Sequence, residues 1–248
     1  MVPKYGIVIL AAGLGTRMKS NKAKVLHEIC GRPMIEYVVR TANKIVGPNV
    51  VVVVGHQAET VKEVVSRVDH TYFAFQNEQL GTGHAVLCAL PEIPDSVEQV
   101  IILCGDVPLI RTSTIERLID DHQTHHRDIT ILTVRVDNPT GYGRIIADAN
   151  GTLTAIVEEA DANEAQKKIN IINTGIYIVS KLYLAQVLPQ LRSENAQNEI
   201  YLTDIIKLAY EANKTIGTLI GDDCDETIGV NSPAELQLAE TSMKYRLI

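Results

Sequence analysis

The amino-acid sequence predicts an α/β fold: a mostly parallel, mixed sheet with helices on both faces. Three observations carry this. Short runs recur that are apolar without alternation, as in IVIL at 7–10, VVVVV at 50–54 and VIILC at 100–104, the pattern of strands buried on both faces. Segments with apolar residues at helical spacing separate these runs. Gly, Pro and Asn clusters punctuate the alternation, which is the grammar of βαβ units.

Taken in order, residues 2–10 form the first strand. Residues 34–46 (MIEYVVRTANKIV) read as a helix stopped by Gly47-Pro48. Strand 50–54 follows, then a helix at 58–67, a short strand at 71–75 and a helix at 83–90. Residues 99–104 (QVIILC) are a third apolar strand, closed by Gly105-Asp106. A helix at 112–124 leads to a strand at 128–136. The grammar then changes. A turn-rich loop at 138–143 precedes two segments, 144–148 and 152–158, that alternate around Asn150-Gly151, a hairpin signal. A strand at 171–179, helices near 180–191 and 203–213, and short β segments at 215–220 and 228–230 complete this half. Ser232 as N-cap and Pro233 at the first helical position open a last helix that runs to the chain end. The expected organisation is one domain over 1–230 with a C-terminal helix from 231 to 248.

With 248 residues, 46% of them apolar, the chain can bury a substantial core. No run approaches the roughly 20 apolar residues that span a bilayer, and no secretory signal region is evident. The four cysteines, Cys30, Cys88, Cys104 and Cys224, are widely spaced with no C-x-x-C pair. That suits single thiols in a reducing cytoplasm rather than a zinc site or disulfide framework. The net charge is −7, but residues 1–50 carry +6 and the remainder −13. A local cationic cleft on an acidic protein suits a small anionic substrate better than a nucleic acid or a membrane.

That positive charge surrounds the turn after the first strand. Ala11-Ala12-Gly13-Leu14-Gly15 is followed by Arg17, Lys19, Lys22 and Lys24. Small residues let a backbone approach a ligand and aim its N–H groups at an anion, so strand, turn and cations describe a phosphate-binding loop. It is not a dinucleotide fingerprint, because Met18 stands where a third glycine is required, and it is not a Walker A loop. Asp106, just past the third strand, lies where open parallel sheets bind ligands and is placed to hold Mg²⁺. The stretch QNEQLGTGHA at 76–85 offers amide donors and acceptors with glycines that permit close approach, as reading a nucleobase edge requires. His122, His125 and His126 could ligate a metal by spacing alone, but at the polar end of a surface helix without acidic or thiol neighbours they read as solvated residues.

The stretch LAAGxGTRM followed by Lys24 resembles the signature of nucleotidyltransferases that join a sugar-1-phosphate to a nucleoside triphosphate. The blocks KVLHEICGRPMIEYV, QNEQLGTGHA, CGDVPLI, PTGYGRI, IVEEADA, INTGIY, NEIYLTDII and GVNSPAEL extend the resemblance along nearly the whole chain. They are similar to the subgroup that makes UDP-N-acetylglucosamine. The resemblance implies a Rossmann-like, glycosyltransferase-A-like sheet. It also implies transfer of UMP from UTP to N-acetylglucosamine-1-phosphate, with Mg²⁺ as cofactor. Carried over by position, Leu10, Ala11, Ala12 and Gly13 would line the uridine and ribose side, and Gln76, Gln79, Gly81 and Thr82 would read the uracil. Arg17 and Lys24 would hold the triphosphate, and Asp106 and Asn231 would bind Mg²⁺. Gly143, Glu158, Asn173, Tyr201 and Thr203 would form the sugar-phosphate pocket.

Two departures from the family pattern stand out. Ala23 replaces the proline before Lys24, which is expected to loosen the loop while leaving the cation in register. Cys104 stands where tyrosine is common and removes one possible contact near the ribose or sugar. The chain ends at Ile248, where the bifunctional relatives continue into an acetyltransferase β-helix that forms a trimer. Acetyl transfer is therefore not expected, and a monomer or weak oligomer is. The competing readings are the same chemistry on another pair, such as glucose-1-phosphate with UTP or dTTP, and a non-catalytic sugar-nucleotide sensor. The intact set Arg17, Lys24, Asp106 and Asn231 favours the enzyme.

Overall fold

The apolar run near the N-terminus becomes β1 (Tyr5–Leu10), the centre of a sheet described by a computed structural model over residues 4–247. Val2 and Pro3, read as part of this strand, lie outside the described residues, as does Ile248 at the end of the last helix. β1 pairs in parallel with β4 (Val50–Val54) on one side and β6 (Gln99–Cys104) on the other. A short hairpin of β2 (Glu28–Ile29) and β3 (Arg32–Pro33) precedes β4. It was not anticipated, because two-residue strands leave no periodicity to detect.

β5 (Tyr72–Phe75) extends the sheet beyond β4 as its edge. Beyond β6 the direction reverses. β10 (Ile171–Ser180) runs antiparallel to both β6 and β7 (Ile129–Arg135), and β11 (Ile216–Ile220) returns parallel to β7. The order is β11-β7-β10-β6-β1-β4-β5, the mixed, mostly parallel sheet expected. The hairpin of β8 (Arg144–Ala147) and β9 (Leu153–Val157) attaches to β10 through Arg144 opposite Ile172. Its connection is held by Asp148 Oδ1, which accepts from Asn150 N–H and Thr152 N–H.

Helices cover both faces. α1 (Met34–Val46), α2 (Ala58–Ser66) and α4 (Thr112–Thr124) pack against Ile7, Ile9, Val52, Ile101 and Leu103. α3 (Thr82–Ala89), α5 (Lys181–Val187) and α6 (Asp204–Glu211) pack against Val8, Val51, Val53, Val100 and Ile102. Alternate residues of the central strands thus feed opposite cores, and burial of both faces is why Ile7–Leu10, β4 and Val100–Leu103 show no alternating polar positions. α5 passes into a 3₁₀ turn at Leu188–Gln190, where Pro189 withholds the N–H a longer helix needs. The expected β segment at 228–230 is not a strand. Val230 N–H donates to Asp106 O at 2.8 Å, and the chain before it turns through Cys224 and Thr227. One backbone bond to a loop offers no ladder to join. α7 (Pro233–Leu247) packs through Ala239 and Met243 on Ile29, Met34 and Leu109.

Candidate active site

The loop after β1 is tied to the sheet at its start and anchored by side chains beyond it. Ala11 N–H donates to Val53 O at 2.9 Å, and Met18, in a 3₁₀ turn at Thr16–Met18, is buried. Gly15 has φ of 68°, and a Cβ there would lie 2.5 Å from Lys24 Cβ. Its backbone packs directly on the lysine stem, which only glycine allows. Ala23 does not loosen the loop. Its N–H donates to Gln57 Oε1 at 2.7 Å, while Gln57 Nε2 donates to Asn21 O at 3.1 Å. A proline has no N–H to form the first of these bonds, so a side chain from the β4–α2 connection replaces the stiffness of the ring.

Lys24, Asp106 and Asn231 meet in one corner. Lys24 Nζ donates to Asp106 Oδ2 and, at 2.8 Å, to Asn231 Oδ1. The Lys24 and Asp106 side chains are only 17% and 15% exposed. Asn231 Nδ2 donates to Gly229 O at 2.9 Å, which fixes the amide so that its oxygen faces the ammonium. A capping box holds the backbone there: Glu235 Oε2 accepts from Asn231 N–H and Ser232 O–H, and Ser232 Oγ accepts from Glu235 N–H. Two hard oxygens already enclosing a cation are a donor set that fits Mg²⁺, which takes few protein ligands and completes its shell with phosphate and water. Among the described residues no group of three or more His, Cys, Asp or Glu forms a metal cluster.

Leu10, Ala11, Ala12, Gly13, Gln76, Gln79, Gly81 and Thr82 line a single cleft of about 440 Å³ together with Lys24 and Asp106. The cleft lies at the carboxyl ends of β1 and β6, where an open sheet of this class places ligands. The 79–84 stretch is clamped to the 199–202 segment: Gly83 N–H donates to Ile200 O, Ile200 N–H to Leu80 O, and Leu202 N–H to Thr82 Oγ1. Gly81 has φ of 114°, and a Cβ there would meet Ile200 O at 2.6 Å. Glu199 also lines the cleft. It was missed because its place depends on that clamp, between segments more than 100 residues apart. Cys104 lines the floor, its thiol pushed up to about 12 by burial and further by Asp106.

The residues assigned to the sugar phosphate gather beside this cleft. A Cβ on Gly143 would lie 3.2 Å from Glu158 Oε2 and 3.4 Å from Asn173 Cβ. Asn173 Oδ1 accepts from Gly175 N–H at 3.0 Å and Tyr177 O–H at 2.9 Å, so its Nδ2 is the free end of the amide. Burial pushes the Glu158 carboxyl up. Asp161, Asp204 and Glu199 add to this, while the Thr203 hydroxyl beside it opposes, without the geometry of a full hydrogen bond. Tyr201 O–H donates to Gln197 Oε1 at 2.7 Å, and burial pushes its hydroxyl up.

Two residues in the PTGYGRI block escaped notice as individuals. Arg144, 1% exposed, donates to Tyr142 O, Lys167 O and Glu159 Oε2, tying the 139–143 loop to the segment after β9. Burial pushes the Tyr142 hydroxyl up, Glu235 and Asp106 add to this, and Arg17 opposes. Arg17 itself is exposed and makes no hydrogen bond or ion pair among the described residues. His122 lies in the last turn of α4 as expected, but it is not solvated: spaced with Ile115 and Leu118, it faces the core, and its Nδ1 lies 2.8 Å from Thr130 Oγ1.

Residues 7–171 match the model of the MobA-like NTP transferase domain. Over 97% of its length the chain is 45% identical to the bifunctional protein GlmU of Geotalea uraniireducens, covering 52% of that protein. It is 44% identical to that of Desulfotalea psychrophila, again over 97% of the chain and covering 70% of the relative. The bifunctional protein GlmU of Burkholderia vietnamiensis is 51% identical over 93% of the chain and half of its own length. The chain thus spans about half the length of most of these curated relatives. The crystal structure of HddC from Yersinia pseudotuberculosis superposes with a TM-score of 0.71 at 21% identity, covering 96% of this chain and 99% of that one, a likeness of fold.

Proposed function

The chain belongs to the MobA-like NTP transferase domain family, and we propose that it transfers UMP from UTP to N-acetylglucosamine-1-phosphate, releasing pyrophosphate. The observation that supports this is one cleft lined by both the small-residue loop with Lys24 and the amide-rich 76–82 wall. Glu199, which also lines it, is among the charges that push up the Glu158 carboxyl, and Glu158 and Asn173 flank Gly143. The choice of sugar and base is supported by the QLGTGHA, PTGYGRI and YLTDII blocks.

A phosphate oxygen of the sugar phosphate attacks the α-phosphorus of UTP in line. A new P–O bond forms, the bond to the bridging oxygen breaks, and its electron pair leaves with pyrophosphate. The nucleophile is ionised near neutral pH, so no general base is required. The obstacle is bringing two polyanions together, and the protein meets it by positioning and by preorganised positive charge. Lys24 and Arg17 neutralise the triphosphate and its leaving group. Gly143, Asn173, Glu158, Tyr201 and Thr203 hold the sugar phosphate. Asp106 and Asn231 would hold Mg²⁺, which when bound supplies Lewis-acid neutralisation of phosphate charge.

The test is pyrophosphate release with UTP and N-acetylglucosamine-1-phosphate, beside glucose-1-phosphate and beside EDTA. Rapid release with the N-acetyl sugar, abolished by EDTA and by Asp106→Asn, is expected. Equal release with both sugars would remove the assigned sugar pocket, and none with either despite UTP binding would make the protein a sensor.

A further inference from the structure

The segment that carries Asn231 joins no sheet. Gly221 N–H donates to Thr133 O at 2.7 Å, and from there to Asn231 the chain forms neither strand nor helix. Asp225 N–H donates to Asp223 Oδ1, and the Thr227 hydroxyl and N–H donate to Cys224 O. These bonds are local and do not place the segment on the rest of the protein. Its outward ion pairs, Arg117 with Asp222 and Arg111 with Asp223, are partly exposed and of a kind that contributes little. The polar contacts that do place it are buried. One is Val230 N–H on Asp106 O at 2.8 Å. The other is Glu226, 3% exposed. Its Oε1 accepts from the Thr114 hydroxyl at 2.6 Å and its Oε2 from Arg111 N–H at 3.3 Å, with Arg111 Nε 3.7 Å away. Both partners open α4, 112 and 115 residues earlier in the chain. The helix lacks such a group of its own. Its N-cap, Arg111, makes no side-chain capping bond, and its first turn holds no acidic residue. The negative charge that suits a helix N-terminus comes instead from a distant segment.

We infer that Glu226 is a positioning residue for the metal pair: by capping α4 it fixes the segment bearing Asn231 against the segment bearing Asp106. Asp106 lies five residues before Arg111, on the connection from β6 into α4, and Asn231 lies five residues after Glu226. The Glu226 contacts close these two stretches of chain at one end, and the Val230–Asp106 bond closes them at the other. The Asp106 and Asn231 oxygens are thereby held at one spacing, close enough that Lys24 Nζ donates to both. Two side chains are a small ligand set for a divalent cation, so their affinity depends on being arranged before the ion arrives. Glu226 hydrogen-bonds neither ligand and acts through the backbone between. Without it the Thr114 hydroxyl and Arg111 N–H lose their acceptor, and the segment is free to shift with Asn231. The inference rests on the proposed Mg²⁺ site and concerns what fixes it.

The test is Mn²⁺ binding to the full chain, followed by electron paramagnetic resonance, in the wild-type protein, Glu226→Leu, Glu226→Gln and Thr114→Val. Leu removes both acceptors. Gln keeps an oxygen for Arg111 N–H, and its amide can donate to the Thr114 hydroxyl, which also accepts. Val removes one of the two bonds from the other side. The Kd for Mn²⁺ is expected to rise about tenfold in Glu226→Leu, the low end of what loss of a group supporting a metal ligand costs. It should rise by less in Thr114→Val and stay near the wild-type value in Glu226→Gln. UTP binding in EDTA should be unchanged in all three variants, whereas a general disruption of the fold would weaken it as well. An unchanged Mn²⁺ affinity in Glu226→Leu, or in Thr114→Val where the Leu variant does not fold, would overturn the inference. So would an equal loss of Mn²⁺ binding and of metal-free UTP binding. Wild-type protein that binds no Mn²⁺ would overturn it together with the metal site. Wild-type protein that binds Mn²⁺ but releases no pyrophosphate would refute the proposed activity alone.

Discussion

Arg17 and Lys24 lie seven residues apart on one loop, yet the fold uses their charges differently. Lys24 is committed to Asp106 and Asn231, so its position is set before any ligand arrives. Arg17 is exposed and, among the described residues, has no partner. A cation kept free of internal partners contributes little to stability and retains its full field for a bound anion. Arg17→Ala is therefore expected to lower kcat by about 10²-fold, as removal of other preorganised charge-stabilising groups does, with the melting temperature unchanged. Steady-state pyrophosphate release and a thermal melt check both halves. A wild-type kcat would take Arg17 out of the transition state.

At the scale of elements, the loop between β1 and β2 is stiffened from outside itself. The Gln57 side chain, supplied by the β4–α2 connection, bonds both Asn21 O and Ala23 N–H. Ala23 has φ of −53°, within the range of a proline ring. The substitution Ala23→Pro therefore keeps the backbone and deletes one bond. In a double-mutant cycle with Gln57→Leu, a coupling of roughly 1 kcal/mol is expected in urea melts. The Gln57→Leu effect should shrink in the proline background without vanishing, because the Asn21 contact survives. Strict additivity would mean that the Ala23–Gln57 bond adds nothing to the loop.

For the whole molecule, the buried His122 couples folding to pH. Burial, with Arg127 adding, pushes its imidazole down to about 4 from an ordinary value of 6.5, against the opposing pull of Asp121 and Asp128. A base whose folded value is lowered stays neutral in the native protein while the unfolded chain takes up a proton. Its contribution to stability is thus complete above pH 6.5 and is lost as the pH falls from there towards about 4. Over that window it adds about 1.4 kcal/mol per pH unit to the slope of unfolding free energy. Urea unfolding between pH 7.5 and 4 should show this slope, and His122→Gln should flatten it by one proton. An identical slope in the variant would place the acid sensitivity in other groups.

The sequence by itself determined the sheet's centre and the character of the loops around it. Unbroken apolar runs at β1, β4 and β6 have one stable solution, strands covered on both faces. The glycines, cations and amides that follow them mark the loops where an anion and a base can be met. Burial and chemical type are properties of single residues and survive in a one-dimensional string. Pairing does not. The antiparallel entry of β10, the failure of 228–230 to form a strand, and the replacement of a proline by Gln57 each depend on which distant group completes a hydrogen bond. The same is true of Lys24 between Asp106 and Asn231, at separations of 82 and 207 residues. Tertiary structure alone decided these, because a donor or acceptor buried by folding must take whatever partner the fold brings within reach.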